Sequence, residues 1–196
     1  MSPTQQERTE NTTASLVGAA RELFAEDGYA ATSLDAVVAK AGVTKGALYH
    51  HFSGKRELFA AVFAAEQAKL SEAIVAAAQV HEEPWEAFEA GAAAFVEACQ
   101  EPGVQRIFLL DAPSALGWET IRQLESSSLK MMELGIQRAI DAGSIDRRPV
   151  EPLAHLLFGA LCESAMVVAR APDQRSALND SLAELHRLLA SLSSRA

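Results

Sequence analysis

The sequence is poor in cysteine, in aromatic residues and in uninterrupted apolar runs. Cysteine occurs twice, at Cys99 and Cys162, without a C-x-x-C pair, which is typical of inert buried thiols rather than a redox or metal motif. Aromatic residues make up 6% of a chain that is 49% hydrophobic, so a core must consist mainly of Ala, Leu and Val. Because alanine and leucine are strong helix formers, this composition favours helices.

The most apolar stretch, residues 152–171, is interrupted by His155 and Glu163. A membrane-spanning helix needs about 20 consecutive apolar residues, so the interruption favours a buried helix instead. The first 13 residues are polar and do not resemble a signal peptide. We therefore expect a cytoplasmic protein without a membrane partner.

Sequence motifs of the common enzyme classes are absent as well. The five histidines are scattered, and there is no G-x-S-x-G string, no Walker A string and no metal-type spacing of His, Cys and Glu. The nearest approach to a metal site is His155, Cys162 and Glu163, three loosely spaced residues on one predicted helix. These absences argue against an enzyme and predict no cofactor.

Acidic residues are missing from one segment of an otherwise acidic chain. The formal net charge is −9, yet residues 36–56 contain four basic side chains and no acidic one. Residues 1–60 hold 6 basic and 7 acidic side chains, which leaves 11 basic and 19 acidic ones for the rest. Because phosphate binding needs a local basic patch, the acidity of the remainder does not exclude a nucleic-acid partner.

Helical periodicity and capping signals define the organisation of the chain. A disordered arm is predicted for residues 1–12, and a capping box at Thr32 and Asp35 is predicted to open the second helix. The predicted helices span approximately 13–28, 32–40, 44–52, 55–80, 84–99, 102–111, 117–142, 150–171 and 173–192. Without any strand alternation, the sequence predicts an all-α fold of about nine helices.

A three-residue turn beginning at Gly42 joins the second and third predicted helices, as in a helix-turn-helix. Glycine suits this turn because a positive φ costs other residues roughly 1 kcal/mol or more. An ordinary helical hairpin has the same spacing. The third helix favours DNA binding, because its polar side chains cannot all be buried and would form a basic surface that fits a major groove about 12 Å wide. These side chains are Thr44, Lys45, Tyr49 and His50.

The segment YAATSLDAVVAKAGVTKGALYHHFSGKRELFAAV (residues 29–62) resembles the DNA-binding domain of the TetR family of bacterial transcriptional repressors. The resemblance covers about residues 10–65 and implies a DNA-binding domain over residues 13–60, with its helix-turn-helix at about 33–52. It also implies an effector-binding and dimerisation domain over residues 61–196. A homodimer would bind a palindromic operator on double-stranded DNA and release it when a small ligand binds.

The same resemblance implies which residues contact DNA. Phosphate and base contacts are expected from Thr32, Ser33, Thr44, Lys45, Tyr49, His50 and Lys55. Gly46 has no side chain, which would let the backbone of the third helix approach DNA closely. An activator, or a regulator without a small ligand, would have the same DNA-binding domain, so both stay open.

Leucines repeat at coiled-coil spacing in the last predicted helix, and a smaller apolar stripe lies on the helix before it. Such stripes pack either inside their own domain or against a second copy as a four-helix bundle. Because one short recognition helix binds weakly, and because the TetR resemblance implies dimerisation through these helices, a dimer interface is expected. Its residues are Leu153, Leu157, Leu178, Leu182, Leu185 and Leu189.

Large aromatic and sulfur-containing side chains cluster in the middle of the chain. A stripe of this kind is more often plain core, but it also suits a pocket for a bulky, largely apolar effector. The candidate pocket residues are Trp85, Phe88, Phe95, Phe108, Trp118 and Met132.

Overall fold

The computed structural model describes residues 4–194, which are helical apart from turns and an isolated β-bridge between Ile145 and Ser193. This confirms the predicted all-α fold. The helices are α1 (Gln5–Ala31), α2 (Leu34–Ala41), α3 (Lys45–His51), α4 (Lys55–Ala78), α5 (Pro84–Ala98), α6 (Pro102–Val104), a π-helix (Gln105–Asp111), α7 (Ala112–Leu116), α8 (Trp118–Leu124), α9 (Ser126–Asp141), α10 (Val150–Arg170) and α11 (Gln174–Ala190).

The chain forms two compact units, each assembled from two segments. The first unit comprises the residues up to Gln67 together with Pro102–Ile121, and the second comprises Ala68–Glu101 together with the residues from Arg122 onward. The chain passes from one unit to the other inside α4 and again inside α8. The sequence predicted a single division near residue 60 and did not predict the return of residues 102–121 to the first unit.

Helix α1 begins earlier than the predicted start near Thr13. The Thr4 hydroxyl accepts from the Glu7 amide (3.2 Å), and the Thr4 amide donates to the Glu7 carboxylate (2.5 Å), which forms a capping box. The predicted disordered arm is therefore helical from Gln5 onward, and its residues 1–3 lie outside the described residues. The backbone departs from helical geometry at Gly28 (φ 83°, ψ 167°), where the helix was predicted to stop, but α1 continues beyond this kink to Ala31.

The turn between α2 and α3 has the predicted geometry. Gly42 adopts the left-handed conformation (φ 66°, ψ 28°), and Thr44 caps α3 by accepting from the Ala47 amide at 3.1 Å. Helix α3 is anchored by Leu48, which is fully buried, and by Phe52 immediately after its end. The helix-turn-helix is thus fixed by one glycine, one cap and two apolar anchors.

The predicted helix over residues 117–142 is divided into α8 and α9 at Glu125. Three serines follow this break, and the Ser126 hydroxyl donates to the Gln123 carbonyl at 2.7 Å. Serine competes with the backbone for such carbonyls and weakens a helix interior, which explains the division. The predicted helix over residues 102–111 is mostly a π-helix and continues directly into α7, where Pro113 is tolerated in the first turn.

The core of the second unit is built from α5, α9, α10 and α11. The indole Nε1 of Trp85 donates to the Leu189 carbonyl at 3.2 Å within this core. Its buried members are Trp85, Ala92, Val96, Ile136, Ala139, Ile145, Ala154, Leu157, Leu161, Leu185 and Leu189.

The leucines predicted for a dimer interface lie in or against this core. Leu157, Leu185 and Leu189 are buried members of it, so assigning them to a dimer interface was wrong. Leu153, Leu178 and Leu182 are half-buried and pack against the same cluster. The leucine periodicity is satisfied inside one chain, which was the alternative that the sequence left open.

Helix α10 is the one described helix that is long and apolar enough, by length and composition, to cross a membrane (mean hydropathy 1.6). Its Ala154, Leu157 and Leu161 side chains are members of the second unit's core. Core helices of soluble proteins pass the same test, so the criterion gives weak support for a membrane span.

Replacing Leu48 tests the anchoring of α3. We expect Leu48→Ala to lower the free energy of unfolding by about 2–5 kcal/mol, because it leaves a cavity under a short helix. Tyr49→Ala is the matched control on the same helix, and its effect should stay within about 0.5 kcal/mol because Tyr49 is 52% exposed. Denaturant unfolding of both variants measures the difference, and equal destabilisation by the two changes would contradict the anchoring role of Leu48.

Candidate nucleic-acid interface

Helix α3 presents a polar face to solvent. Lys45, Tyr49 and His50 are all exposed on it, while Leu48 on the opposite side is fully buried. Gly46 lies on the exposed side, and the heavy atom nearest to a Cβ built there is Thr44 Oγ1 at 3.9 Å. The structure therefore brings together four of the predicted DNA-binding residues and leaves the backbone beside them open.

Ser33 and Thr44 cap α2 and α3 through their side chains. The Ser33 hydroxyl accepts from the Ala36 amide and the Thr44 hydroxyl from the Ala47 amide, each at 3.1 Å. Both residues are exposed, and a hydroxyl that accepts one bond can still donate its proton to a phosphate oxygen. These two predicted contacts are compatible with their capping roles.

Thr32 does not belong to this surface. It is 4% exposed, and its hydroxyl donates to the carbonyls of Gly28 (2.9 Å) and Leu23 (3.2 Å). The predicted capping box at Thr32 and Asp35 was wrong, because the residue that caps α2 is Ser33. Thr32 instead closes the end of α1, so its side chain is not presented to a DNA partner.

Lys45 carries an ion pair that the sequence did not predict. Its Nζ lies 2.7 Å from Asp35 Oδ1, and the hydrogen bond to Asp35 is the main cause that raises the pKa of Lys45. Both side chains are largely exposed, so salt screens the pair and a phosphate can compete for the ammonium. Asp35 thus holds Lys45 at the surface in its charged form.

The basic side chains after α3 differ in where they point. Lys55 Nζ donates to the Ala30 carbonyl at 3.1 Å and lies 4.6 Å from the centroid of the Tyr29 ring. Arg56 donates to the Leu116 carbonyl at 2.6 Å, so it is bound within the first unit. Lys55 therefore remains a candidate phosphate contact, whereas Arg56 holds the returning segment.

His51, which directly follows His50, is half-buried. Its Nδ1 lies 3.2 Å from the Thr13 hydroxyl of α1. Of the two adjacent histidines, only His50 is exposed, so His50 is the one that can reach a base.

The candidate effector residues do not form one group. Trp85 and Phe88 stack with their ring centroids 4.9 Å apart, and Phe95 and Met132 pack against the same core. Phe108 instead belongs to the first unit, where its ring centroid is 4.3 Å from that of Phe63. Trp118 is 68% exposed in the same unit. The sequence grouped these six residues by type and could not distinguish the two units.

The side chains of Arg122, Glu125 and Cys162 lie within the second unit. Arg122 is 3.7 Å from the Glu125 carboxylate and lies over the Phe158 ring, 5.6 Å from its centroid. Burial raises the pKa of Glu125 and also raises the pKa of the Cys162 thiol to about 12. Burial is the largest cause of the raised Cys162 pKa, and the Glu125 charge raises this pKa further while the Arg122 charge lowers it.

The thiols and acids of the described chain offer little metal or nucleophilic chemistry. Burial raises the pKa of the Cys99 thiol to about 12, so it stays protonated at neutral pH and is a poor nucleophile. Across residues 4–194, no group of three or more His, Cys, Asp and Glu side chains could hold a metal ion.

Two known protein families match most of this chain. Residues 16–62 match the family described as bacterial regulatory proteins of the tetR family. Residues 85–192 match the family described as the tetracyclin repressor-like C-terminal domain. The N-terminal match contains all of α2 and α3, and the C-terminal match contains α5 from Trp85 onward and all helices from α6 to α11.

Individual proteins of known structure or function are also similar to this chain. A TetR-family transcriptional regulator from Pectobacterium atrosepticum has a solved structure with a TM-score of 0.85 and 35% identity, covering 98% of this chain and 99% of its own. The transposon Tn10 TetC protein of Escherichia coli is 52% identical over 59 residues, which cover 30% of each chain. The transcriptional activator FasR of Mycolicibacterium smegmatis is 49% identical over 47 residues, which cover 24% of this chain and 22% of FasR. The matched segments thus span less than a third of either curated relative.

Replacing Lys45 tests the polar face of α3. We expect Lys45→Ala to weaken binding to every DNA duplex by a similar factor, and to make the plot of log K against log salt shallower by about 0.9 for each phosphate that is no longer neutralised. Lys130→Ala on α9 removes the same charge from an exposed site and serves as the control. A mobility-shift salt titration measures both slopes, and an unchanged slope for Lys45→Ala would exclude its phosphate contact.

Proposed function

This chain belongs to the TetR family of DNA-binding transcriptional regulators, and we propose that it is a repressor that binds a palindromic operator as a homodimer and leaves it when a small molecule binds. The observation that carries the DNA-binding role is the exposed basic face of α3, presented outward because Leu48 anchors the opposite side. A regulator of this kind acts where the chromosome is, so we place the protein in the bacterial cytoplasm.

Each side chain of the α3 face has a role that fits its chemistry. Lys45 supplies a compact charge for a phosphate, while His50 can donate to or accept from a base edge. Tyr49 offers a hydroxyl for a phosphate and a ring for a thymine methyl. Gly46 lets the backbone approach the groove, because no side chain stands between them.

A second copy of the chain is the partner expected for the exposed apolar side chains of α10 and α11. Leu156 is 72% exposed and Val167 is 53% exposed on α10, and Leu188 is 44% exposed on α11. These residues replace the buried leucines as our candidate dimer interface. Dimerisation would place two α3 helices about 34–36 Å apart, the distance between successive major grooves on one side of the duplex.

The second unit is the proposed site of the effector. Its aromatic residues Trp85, Phe88 and Phe95 and the adaptable Met132 supply flat and flexible apolar surface. The Arg122–Glu125 pair supplies polar groups at a partly buried position, where they could orient a ligand. We therefore propose a largely apolar effector with a polar end.

The effector must bind more tightly to a dimer whose α3 helices do not fit the operator, since only differential affinity shifts the equilibrium. We propose that it acts through α4 and α8, the two helices inside which the chain passes from one unit to the other. The match to an activator keeps activation as the alternative sign of regulation. The solved structure that matches 98% of this chain is that of a transcriptional regulator, so we propose no catalytic activity.

Selection of DNA sequences tests the proposed repressor. We expect the purified protein to enrich a palindrome from a random duplex pool, with half-sites one helical turn or a multiple of it apart. Leu156→Asp should produce a monomer in sedimentation equilibrium and abolish this enrichment, because it buries a charge in the dimer interface. Leu134→Asp is the control, since Leu134 on α9 is 51% exposed and lies outside the proposed interface. Enrichment of a single half-site by a monomeric wild type would contradict the dimer.

Ligand screening tests the proposed effector. Among uncharged aromatic and fatty-acyl compounds, one present at 100 times its Kd should stabilise the protein by about 2.7 kcal/mol and release the selected duplex. Met132→Trp should remove both effects and keep operator binding, because it adds bulk where the effector is expected. Leu134→Trp on the exposed side of α9 is the control. A ligand-saturated protein that bound the duplex as tightly as the free one would contradict induction.

A further inference from the structure

Residues 102–121 are bound tightly to the first unit, although 34 residues separate them in sequence from Gln67. The Phe108 ring of the π-helix packs against Phe63 of α4. At the other end of the segment, Arg56 donates to the Leu116 carbonyl and, at 3.2 Å, to the Thr120 hydroxyl. Apolar and polar contacts thus fix both ends of this segment on the DNA-binding unit.

The π-helix also carries a polar clamp, formed by Arg106 and Asp111, that grips the end of α1. Arg106 Nη2 donates to the Asp27 carbonyl at 3.2 Å, and Arg106 Nε lies 3.4 Å from Asp111 Oδ2. The same Asp111 oxygen accepts from the Tyr29 amide at 2.7 Å. Gly28 makes room for this arrangement, because a Cβ on it would lie 2.2 Å from Arg106 Nη2.

The clamp contains a donor without a hydrogen bond and lies on a rare backbone geometry. Arg106 Nε is buried, yet the 3.4 Å ion pair with Asp111 does not complete a hydrogen bond. Burying an N–H group without a hydrogen bond lowers stability. The arrangement also depends on a π-helix, a rare geometry that is frequent at functional sites.

The backbone that the clamp holds contacts the side chain of Lys55, which lies at the start of α4. The Tyr29 ring receives the Lys55 ammonium over its face, and the next carbonyl, that of Ala30, accepts a hydrogen bond from the same Nζ. A lysine ammonium has three donors, so after one is used for Ala30 the others can reach a phosphate. The position of this cation therefore depends on where residues 29 and 30 are held.

We propose that Arg106 and Asp111 are positioning residues for DNA binding, which fix the Tyr29–Ala30 backbone and thereby place the Lys55 ammonium against an operator phosphate. The π-helix segment then controls a DNA contact without touching DNA. This proposal rests on the proposed DNA-binding function, and it adds two residues outside the helix-turn-helix to the operator-binding machinery.

The sign of the change in DNA affinity when Asp111 is replaced distinguishes a positioning role from a general charge effect. Replacing an acidic residue reduces repulsion of DNA, so a general charge effect would strengthen binding. If Asp111 positions Lys55, Asp111→Ala weakens binding roughly tenfold, as expected when a charge-assisted hydrogen bond to DNA is removed. Glu119→Ala is the matched control, because it removes an exposed acid from the same returning segment and should leave binding unchanged or slightly stronger.

A double-mutant cycle tests the route through Lys55. The probe is the duplex enriched by the wild-type protein, and its Kd is measured over a salt series for wild type, Asp111→Ala, Lys55→Ala and the double variant. We expect each single variant to flatten the salt slope by about 0.9 for each phosphate that it fails to neutralise, and Asp111→Ala to add less than about twofold in the Lys55→Ala background. Asp111→Asn, which keeps an acceptor oxygen for the Tyr29 amide, should recover much of the affinity.

Additive effects, or an Asp111→Ala variant with wild-type affinity and slope, would overturn the proposal. A merely unstable variant would lower the active fraction but keep the slope, and this outcome would also overturn it. Amide exchange in the free protein provides an independent measurement, since the Tyr29 N–H should exchange faster in Asp111→Ala. A wild-type protein that enriches no duplex would instead refute the proposed function itself, before any variant is compared.

Discussion

The anchoring of α3 by two buried side chains is the constraint on which the proposed DNA-binding surface depends. The helix has seven residues, whereas isolated helices shorter than about 12–15 residues are marginal in water. Its shape therefore comes from Leu48 and Phe52 below it and from the Thr44 cap before it. The same anchoring turns Lys45, Tyr49 and His50 outward, so the proposed recognition surface is a product of core packing.

The cations of this surface are held in place before any partner arrives. Lys45 is paired with Asp35, and Lys55 is held by the Tyr29 ring and the Ala30 carbonyl. Preorganised side chains lose less conformational entropy on binding, which leaves more of the contact energy for affinity. Since the chain as a whole is acidic, we propose that these placed charges, rather than the net charge, direct DNA to one face.

Local signals in the sequence were enough to predict the helix-turn-helix and most helix ends. Gly42, Thr44 and Pro84 act through their own backbone or cap, so their roles can be predicted without tertiary structure. Thr4 and Glu7 carry a capping-box spacing that would have revealed the true start of α1. The leucines of α10 and α11 show the limit, because periodicity identifies an apolar stripe but not what covers it. The Arg106–Asp111 clamp contacts Asp27 and Tyr29, which are about 80 residues earlier in the sequence, and no spacing rule predicts such a contact.

The assembly of the first unit from two separated stretches of chain has a consequence for how such regulators can be recombined. A chimera made with a single crossover after α4 would carry α3 of one parent and the π-helix segment of the other. Three contacts would then join residues from different parents. They are the contacts of Phe63 with Phe108, of Arg56 with Leu116 and of Tyr29 with Asp111. These contacts are kept only when both stretches come from the same parent, so the segment to be exchanged is larger than the helix-turn-helix.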